Sequence, residues 1–107
     1  MTKYNAENER LKRRYLRYLR SAKGYDEATV DGHAPAIERF EAYNKRRSFK
    51  LFRIEQAIGF RERLGSEKAD GTDRLLSKTT VHQILNALRA FVFWLADQPG
   101  YRSRVSY

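Results

Sequence analysis

The stretch from Leu76 to Asp97 reads LSKTTVHQILNALRAFVFWLAD and carries the clearest structural pattern in the chain. At about 100° per residue, its apolar side chains fall within one arc of a helical wheel, which is typical of a helix with one buried face. Ser77 is a suitable N-cap, and Leu76 and Val81 occupy the two positions of a hydrophobic staple. The pattern therefore predicts a helix over 77–97. The buried stripe of this helix consists of Val81, Ile84, Leu85, Leu88, Phe91, Val92 and Leu95.

The opposite face of the same helix is polar in its N-terminal half. Hydrogen-bonding side chains recur there at successive turns, which suits a solvated surface or a surface that reads base edges in DNA. On this helix alone we favour the solvated surface, because short motifs often match by chance. Phe93 and Trp94 follow, so we expect the C-terminal half of the helix to be buried nearly all round. The polar face consists of Lys78, Thr79, His82, Gln83, Asn86 and Arg89.

The length and charge of the chain limit its class. A chain of 107 residues suits one domain with a single modest core. Its 22 Lys and Arg against 13 Asp and Glu give a formal net charge of +9, which favours nucleic acid or an anionic membrane surface as partner. Cysteine is absent, so disulfides and thiolate metal sites are excluded. No apolar run approaches the ~20 residues that span a bilayer, and the N-terminus lacks a signal-peptide pattern. We therefore expect a soluble, cytoplasmic protein with no membrane partner.

The segment 6–21 is predicted to form the first helix, with Gly24 at the C′ position after its end. Arginines recur at intervals of three and four on the side opposite its apolar face. This arrangement suits a phosphate backbone, and a solvated face with long stems over the core fits equally well. The arginine ridge consists of Arg10, Arg13, Arg17 and Arg20.

The second helix is predicted over 26–44, with Asp26 as its N-cap and Pro35 in its middle. Proline removes a backbone donor, so we expect a local irregularity, but the apolar pattern continues on both sides and the helix should persist. His33 shares the apolar face and is expected to be a packed, hydrogen-bonded core histidine. A small, mostly neutral strip beside that face is a weaker candidate for DNA contact. This strip consists of Thr29, Gly32, Ala36 and Arg39.

The third helix is predicted over 52–64, with Phe49 and Leu51 anchoring its entry. The segment 65–74 contains two glycines and no apolar periodicity, which predicts a mobile loop. Pro99-Gly100 is a strong stop signal after the last helix. Residues 98–107 are then expected to form an exposed basic tail, or a linker to a further domain.

The motifs of common enzyme sites are missing from the sequence. It has two histidines and no cysteine, and neither an HExxH motif nor paired Cys and His spacing occurs. It also has no P-loop and no GxGxxG motif. Carboxylates such as Glu55 and Glu62 occupy exposed helical positions. We therefore expect no catalytic residue, no cofactor and no metal site in this chain.

Two of the predicted helices begin alike, with a capping residue, a threonine three residues later and then an apolar residue. With the all-α pattern and the basic first helix, this set resembles the N-terminal core-binding domain, the SAM-like helical domain, of phage integrases and related tyrosine recombinases. The segment ALRAFVFWLADQPG, 87–100, is especially similar to the last core helix of that family. The residues that carry the resemblance are Thr29, Val30, His33, Ile37, Phe40, Tyr43, Ser77, Thr80, Leu88, Arg89, Phe91, Trp94 and Leu95.

The resemblance implies an all-α, compact bundle of four main helices that forms half of a clamp around double-stranded DNA during integration or recombination. It implies that the polar face of the last helix contacts bases or phosphates, with Thr29 and Gly32 as weaker candidates. The other half of the clamp would be a catalytic domain of the same parent chain beyond residue 107, and other recombinase protomers on DNA would be further partners. Tyr101 and Tyr107 would therefore not be nucleophiles.

Two other classes fit part of the pattern. A free-standing helix-turn-helix regulator would also bind DNA, but the long 65–74 connection is unlike a turn of 3–4 residues. A helical protein-interaction module would use Phe93 and Trp94 to contact a protein partner.

Overall fold

The computed structural model describes residues 5–66, 75–98 and 101, and in this part the chain forms helices and no β-strand. The α-helices are α1 (Ala6–Ser21), α2 (Glu27–Tyr43), α3 (Ile54–Leu64) and α4 (Lys78–Ala96). A 3₁₀ helix, Phe49–Leu51, precedes α3. The predicted all-α bundle of four main helices is thereby confirmed. None of the described helices is long and apolar enough to cross a membrane.

Side-chain caps fix the starts of three helices where the sequence places them. The Asn5 Oδ1 accepts from the backbone N–H of Asn8 at 3.0 Å, and the Asp26 Oδ1 accepts from that of Thr29 at 2.8 Å. The Ser77 Oγ accepts from the backbone N–H of Thr80 at 3.1 Å. Each cap satisfies one of the orphan donors of a helix N-terminus, which is why short polar residues mark these positions.

The start of α3 was predicted two residues too early. Phe52 closes the preceding 3₁₀ helix by donating its backbone N–H to the carbonyl of Phe49 at 3.1 Å, and Arg53 has an extended backbone. The Gln56 side-chain oxygen accepts from the Arg53 N–H at 2.9 Å and so defines the true start. Phe49 is buried as expected, but Leu51 is 58% exposed and does not anchor the entry.

The ends of α1 and α2 also differ in detail from the prediction. Ala22 is the C-cap of α1, and Gly24, two residues later, takes the positive φ of 69° instead of occupying C′. At the end of α2, the consecutive residues Lys45 and Arg46 have φ of 58° and 60°. Non-glycine residues adopt this left-handed region at a cost, so other contacts must hold this turn in place.

The core joins all four helices through aromatic side chains. α2 packs against both α1 and α4, and α3 packs against α4. Phe91 of α4 lies between Tyr15 and Phe49, with ring centroids at 5.1 Å and 5.0 Å. Phe40 and Phe60 pack edge to face at 5.4 Å, an arrangement that adds to the gain from apolar burial.

Three residues are placed differently from the sequence-based expectation. Tyr101 belongs to the core at 6% exposure, so the tail does not begin there, and residues 102–107 lie outside the described part. Ala36 is 2% exposed and cannot contribute to an open strip on α2. His33 packs near Tyr25, with ring centroids at 5.9 Å, but among the described residues its buried Nδ1 has no hydrogen-bond partner. Burial lowers the pKa of His33, which favours the neutral ring.

α2 runs through Pro35 without interruption, as expected. The predicted loop at 65–74 lies mostly outside the described residues, as does the Pro99-Gly100 stop.

Candidate nucleic-acid interface

The polar face of α4 is open to solvent along its whole length. All six of its side chains are exposed, while Leu88, Phe91 and Leu95 on the opposite side are at most 3% exposed. The buried side holds α4 against the rest of the bundle. The exposed side therefore presents amide, imidazole, hydroxyl and cationic groups on a firmly anchored helix.

The C-terminal half of α4 is less buried than predicted. Phe93 is 44% exposed, because it follows Arg89 by four residues and Asn86 by seven and so continues the same outward face. The Arg89 guanidinium lies 5.4 Å from the centroid of the Phe93 ring. Trp94 is half-buried beside Tyr15 at 5.2 Å. The exposed face therefore extends one turn further, and a cation–π contact orients Arg89 at its edge.

The beginning of α4 is favourable for anions. Its first turn contains no acidic residue and begins with Lys78. The N-terminus of a helix carries a partial positive charge, which an acidic residue would offset. The first turn of α4 therefore places no carboxylate against the partial positive charge of its N-terminus.

The arginine ridge on α1 is exposed as predicted. The Arg20 Nε donates to the Glu27 Oε1 at 2.7 Å, so the charge of Arg20 is partly neutralised. Within the described part of the chain, no ion pair to a carboxylate involves Arg10, Arg13 or Arg17. In the described part of the chain, the charges of these three arginines are therefore not offset by an ion pair.

One residue of the arginine ridge and one residue of the polar face border grooves of the bundle. Arg13 borders a groove between α1 and α2, whereas Arg89 borders a groove between α3 and α4. These two arginines therefore border different grooves.

Thr29 is exposed, but its surroundings are acidic. It lies in the first turn of α2 beside Asp26 and Glu27, which are also exposed. Hydrogen bonds from the backbone and side chain of Thr29 lower the pKa of Asp26, so that carboxylate stays ionised. A phosphate would meet a negative charge here, which weakens Thr29 as a DNA contact.

A partly buried ionic cluster, which was not predicted from the sequence, lies between α1 and α2. The Lys12 Nζ lies 2.5 Å from both the Glu9 Oε2 and the Glu41 Oε1, and it also pairs with Glu38. Arg46 joins from the turn after α2, with its Nη1 2.5 Å from the Glu38 Oε2 and 2.8 Å from the Glu41 Oε1. The paired carboxylates explain why the strained turn at Arg46 persists.

Asn8 connects this ionic cluster to the backbone that follows α2. Its Nδ2 donates to the Glu41 Oε2 at 3.1 Å and to the carbonyl of Arg47 at 2.8 Å, and its Oδ1 accepts from the Phe49 N–H at 3.1 Å. Asn8 is fully buried. The cluster therefore fixes how α1, α2 and the 3₁₀ helix sit together.

The charges in the ionic cluster perturb each other's ionisation. Burial alone would lower the pKa of Lys12, but hydrogen bonds with Glu38, Glu41 and Glu9 outweigh it and raise that pKa. Burial alone would raise the pKa of Glu38, but hydrogen bonds from Lys12 and Arg46 lower it. Glu9, Glu38 and Glu41 have the spacing of metal ligands, yet the Lys12 ammonium already supplies the cation between them. The cluster is therefore structural.

Taken together, these features define an all-α domain with a firmly held helix that displays a polar and cationic face. The chain matches the family of the phage integrase N-terminal SAM-like domain over residues 13–99, and it belongs to that family. The matched range runs from Arg13 in α1 beyond the end of α4 and so includes the polar face. This domain is a non-catalytic part of integrases, which are tyrosine recombinases. Comparisons with curated proteins and with solved structures gave no match.

Proposed function

We propose that this chain is the core-binding domain of a tyrosine recombinase and holds one side of double-stranded DNA. A catalytic domain of the same parent chain would close on the other side, and further protomers would assemble on the same DNA. Cleavage and strand transfer would be performed by that catalytic domain. A cytoplasmic location, where DNA is accessible, is part of this proposal.

The exposed polar face of α4 is the observation that carries the proposal. Side chains on one face of a helix can enter the major groove, where each base pair presents a distinct set of donors and acceptors. Asn86 has the chemistry to pair with adenine, and Arg89 has the chemistry to pair with guanine through two hydrogen bonds. Both residues are exposed, and both lie on a helix whose opposite side is buried.

The arginine ridge has a second role in the proposal. Because they lie on α1 and not on α4, Arg10, Arg13 and Arg17 would meet phosphates and not the bases that α4 reads. Such contacts set register and add affinity without sequence preference. The ridge would therefore contact the backbone of a site that passes over both surfaces, or of a neighbouring DNA segment in the assembly.

A set of fluorescence-anisotropy titrations tests the proposal. We expect weak binding to duplex DNA that weakens steeply as salt is raised, because phosphate contacts release counterions. When the chain selects binders from a library of random duplexes, with heparin and bulk DNA as competitors, one sequence should be enriched. Tight binding with a flat salt dependence, or no preference for duplex over heparin, would contradict it.

A further inference from the structure

A groove of about 350 Å³ runs between α3 and α4, and seven of its nine lining residues are apolar. Ile54 and Ile58 of α3 are 39% and 52% exposed. They are four residues apart and so form one ridge along the α3 side. Leu85 and Val92 of α4 line the other side. Large exposed apolar side chains gathered along one groove are typical of an interaction surface.

Two guanidinium groups flank this apolar groove. Arg61 follows Ile58 by three residues on α3, and Arg89 follows Leu85 by four on α4, so each helix places one cation at the edge. In the described part of the chain, neither arginine forms an ion pair with a carboxylate. The groove therefore combines an apolar floor with a positive charge on either side.

We propose that the α3–α4 groove binds an amphipathic helix of a partner protein, with apolar residues along one stripe and Asp or Glu beside that stripe. A third helix fits the furrow between two packed helices, and its apolar side chains would cover Ile54 and Ile58. Acidic residues beside the stripe would pair with Arg61 and Arg89. The net charge of +9 on the chain adds a general attraction for such a segment.

Charge complementarity distinguishes this occupant from two others. A second copy of the chain that docked through its own α3–α4 groove would bring two more guanidinium groups toward Arg61 and Arg89, and like charges brought together oppose association. Duplex DNA offers phosphates to the arginines, but its backbone has no apolar surface for Ile54 and Ile58. An acidic amphipathic helix offers apolar side chains to Ile54 and Ile58 and carboxylates to Arg61 and Arg89.

The proposal goes beyond DNA binding and does not require it. If the polar face of α4 does bind DNA, Arg89 belongs to both surfaces. A partner helix would then withdraw Arg89 from DNA, and the two ligands would bind with negative coupling.

A display library of helix-forming peptides tests the groove without DNA. Its members carry leucines at i, i+3, i+4 and i+7, and the positions on both sides of that stripe are randomised. Binders are selected on the wild-type chain, and their affinities are then measured for the wild-type chain and for the Ile58→Ser variant. We expect the selected peptides to be enriched in Asp and Glu beside the stripe and to lose about tenfold in affinity on Ile58→Ser.

Charge variants give the matched control. In the Arg61→Gln/Arg89→Gln double variant, the preference for acidic residues should disappear, while binding through the apolar stripe remains. Arg13→Gln removes a similar charge from another surface and should leave the preference intact. Melting temperatures of the variants verify folding.

Three results would overturn the proposal. One is the absence of any peptide whose binding depends on Ile58. Another is a preference for acidic peptides that survives in the Arg61→Gln/Arg89→Gln double variant, or that falls as much in Arg13→Gln as in the double variant. The third is a wild-type chain that sediments as a dimer and becomes monomeric on Ile58→Ser, which would assign the groove to a second copy.

Discussion

Replacing Lys12 by methionine tests whether the ionic cluster holds α1 against α2. The substitution keeps a long apolar stem and removes the ammonium that lies among Glu9, Glu38 and Glu41. Glu9 would then lose its pair with Lys12, and Glu38 and Glu41 would keep the guanidinium of Arg46. Removing one partner of a buried ion pair costs about 3–5 kcal/mol of unfolding free energy. Glu41 is 1% exposed but the Glu38 side chain is 47% exposed, so we expect about 3 kcal/mol, the lower end of that range.

The loss of stability should depend on pH in a defined direction. The pKa of Glu38 is lowered from 4.5 in the folded chain, so its contribution is present above pH 4.5 and is lost as the pH falls through the folded value. The pKa of Lys12 is raised from 10.5, so its contribution is complete below pH 10.5 and is lost only at higher pH. The difference between wild type and Lys12→Met should therefore be constant near neutral pH and shrink below pH 4.5.

Urea unfolding followed by circular dichroism measures this difference at neutral and acidic pH. The matched control is Arg20→Met, which removes the exposed pair with Glu27 and should cost at most about 1 kcal/mol. A loss for Lys12→Met no larger than that of the control, or one that does not change on acidification, would refute the reasoning.

Three further outcomes are expected. Leu88→Ala should lower the unfolding free energy by about 2–5 kcal/mol, because Leu88 is 3% exposed, whereas Asn86→Ala should stay within about 0.5 kcal/mol; equal losses in chemical denaturation would contradict the assignment of faces. Arg13→Ala should weaken binding to all duplexes alike and reduce the log–log salt slope by roughly 0.9, and an unchanged slope would remove Arg13 from the phosphate contacts. The pure chain should neither nick nor relax supercoiled DNA in a gel assay, because the described residues include no activated nucleophile with charge-stabilising partners, and metal-free relaxation would contradict this.

The helix positions could be predicted from the sequence because their signals are local. Asn5, Asp26 and Ser77 cap the helices that follow them, and the period of the apolar residues identifies the buried faces. The predicted start of α3 was wrong because Phe52 is apolar and fits the helical period, although its backbone closes the preceding 3₁₀ helix. Periodicity reports which side chains are buried and not which backbone hydrogen bond is made.

The exposure of the polar face could be predicted for the same reason. The exposure of Asn86 and Arg89 follows from a helical wheel of α4 alone, because both residues lie opposite its apolar stripe. The wheel also places Phe93 on this exposed face, whereas its apolar character favours burial. The environment of Lys12 depends on carboxylates from α2, and no local pattern indicates that pairing. The one available signal was that Lys12 and Asn8 lie toward the apolar face of α1, where charged or polar residues need a partner.

The most direct test of the central claim is the specificity of the Asn86→Ala/Arg89→Ala double variant on a duplex selected with the wild-type chain. Affinities are measured for the selected duplex and for each single-base change in it. We predict that each lost side chain removes about 1–3 kcal/mol of discrimination at one base position, with little change in melting temperature. Binding and discrimination that survive the loss of both side chains would show that α4 does not read the DNA.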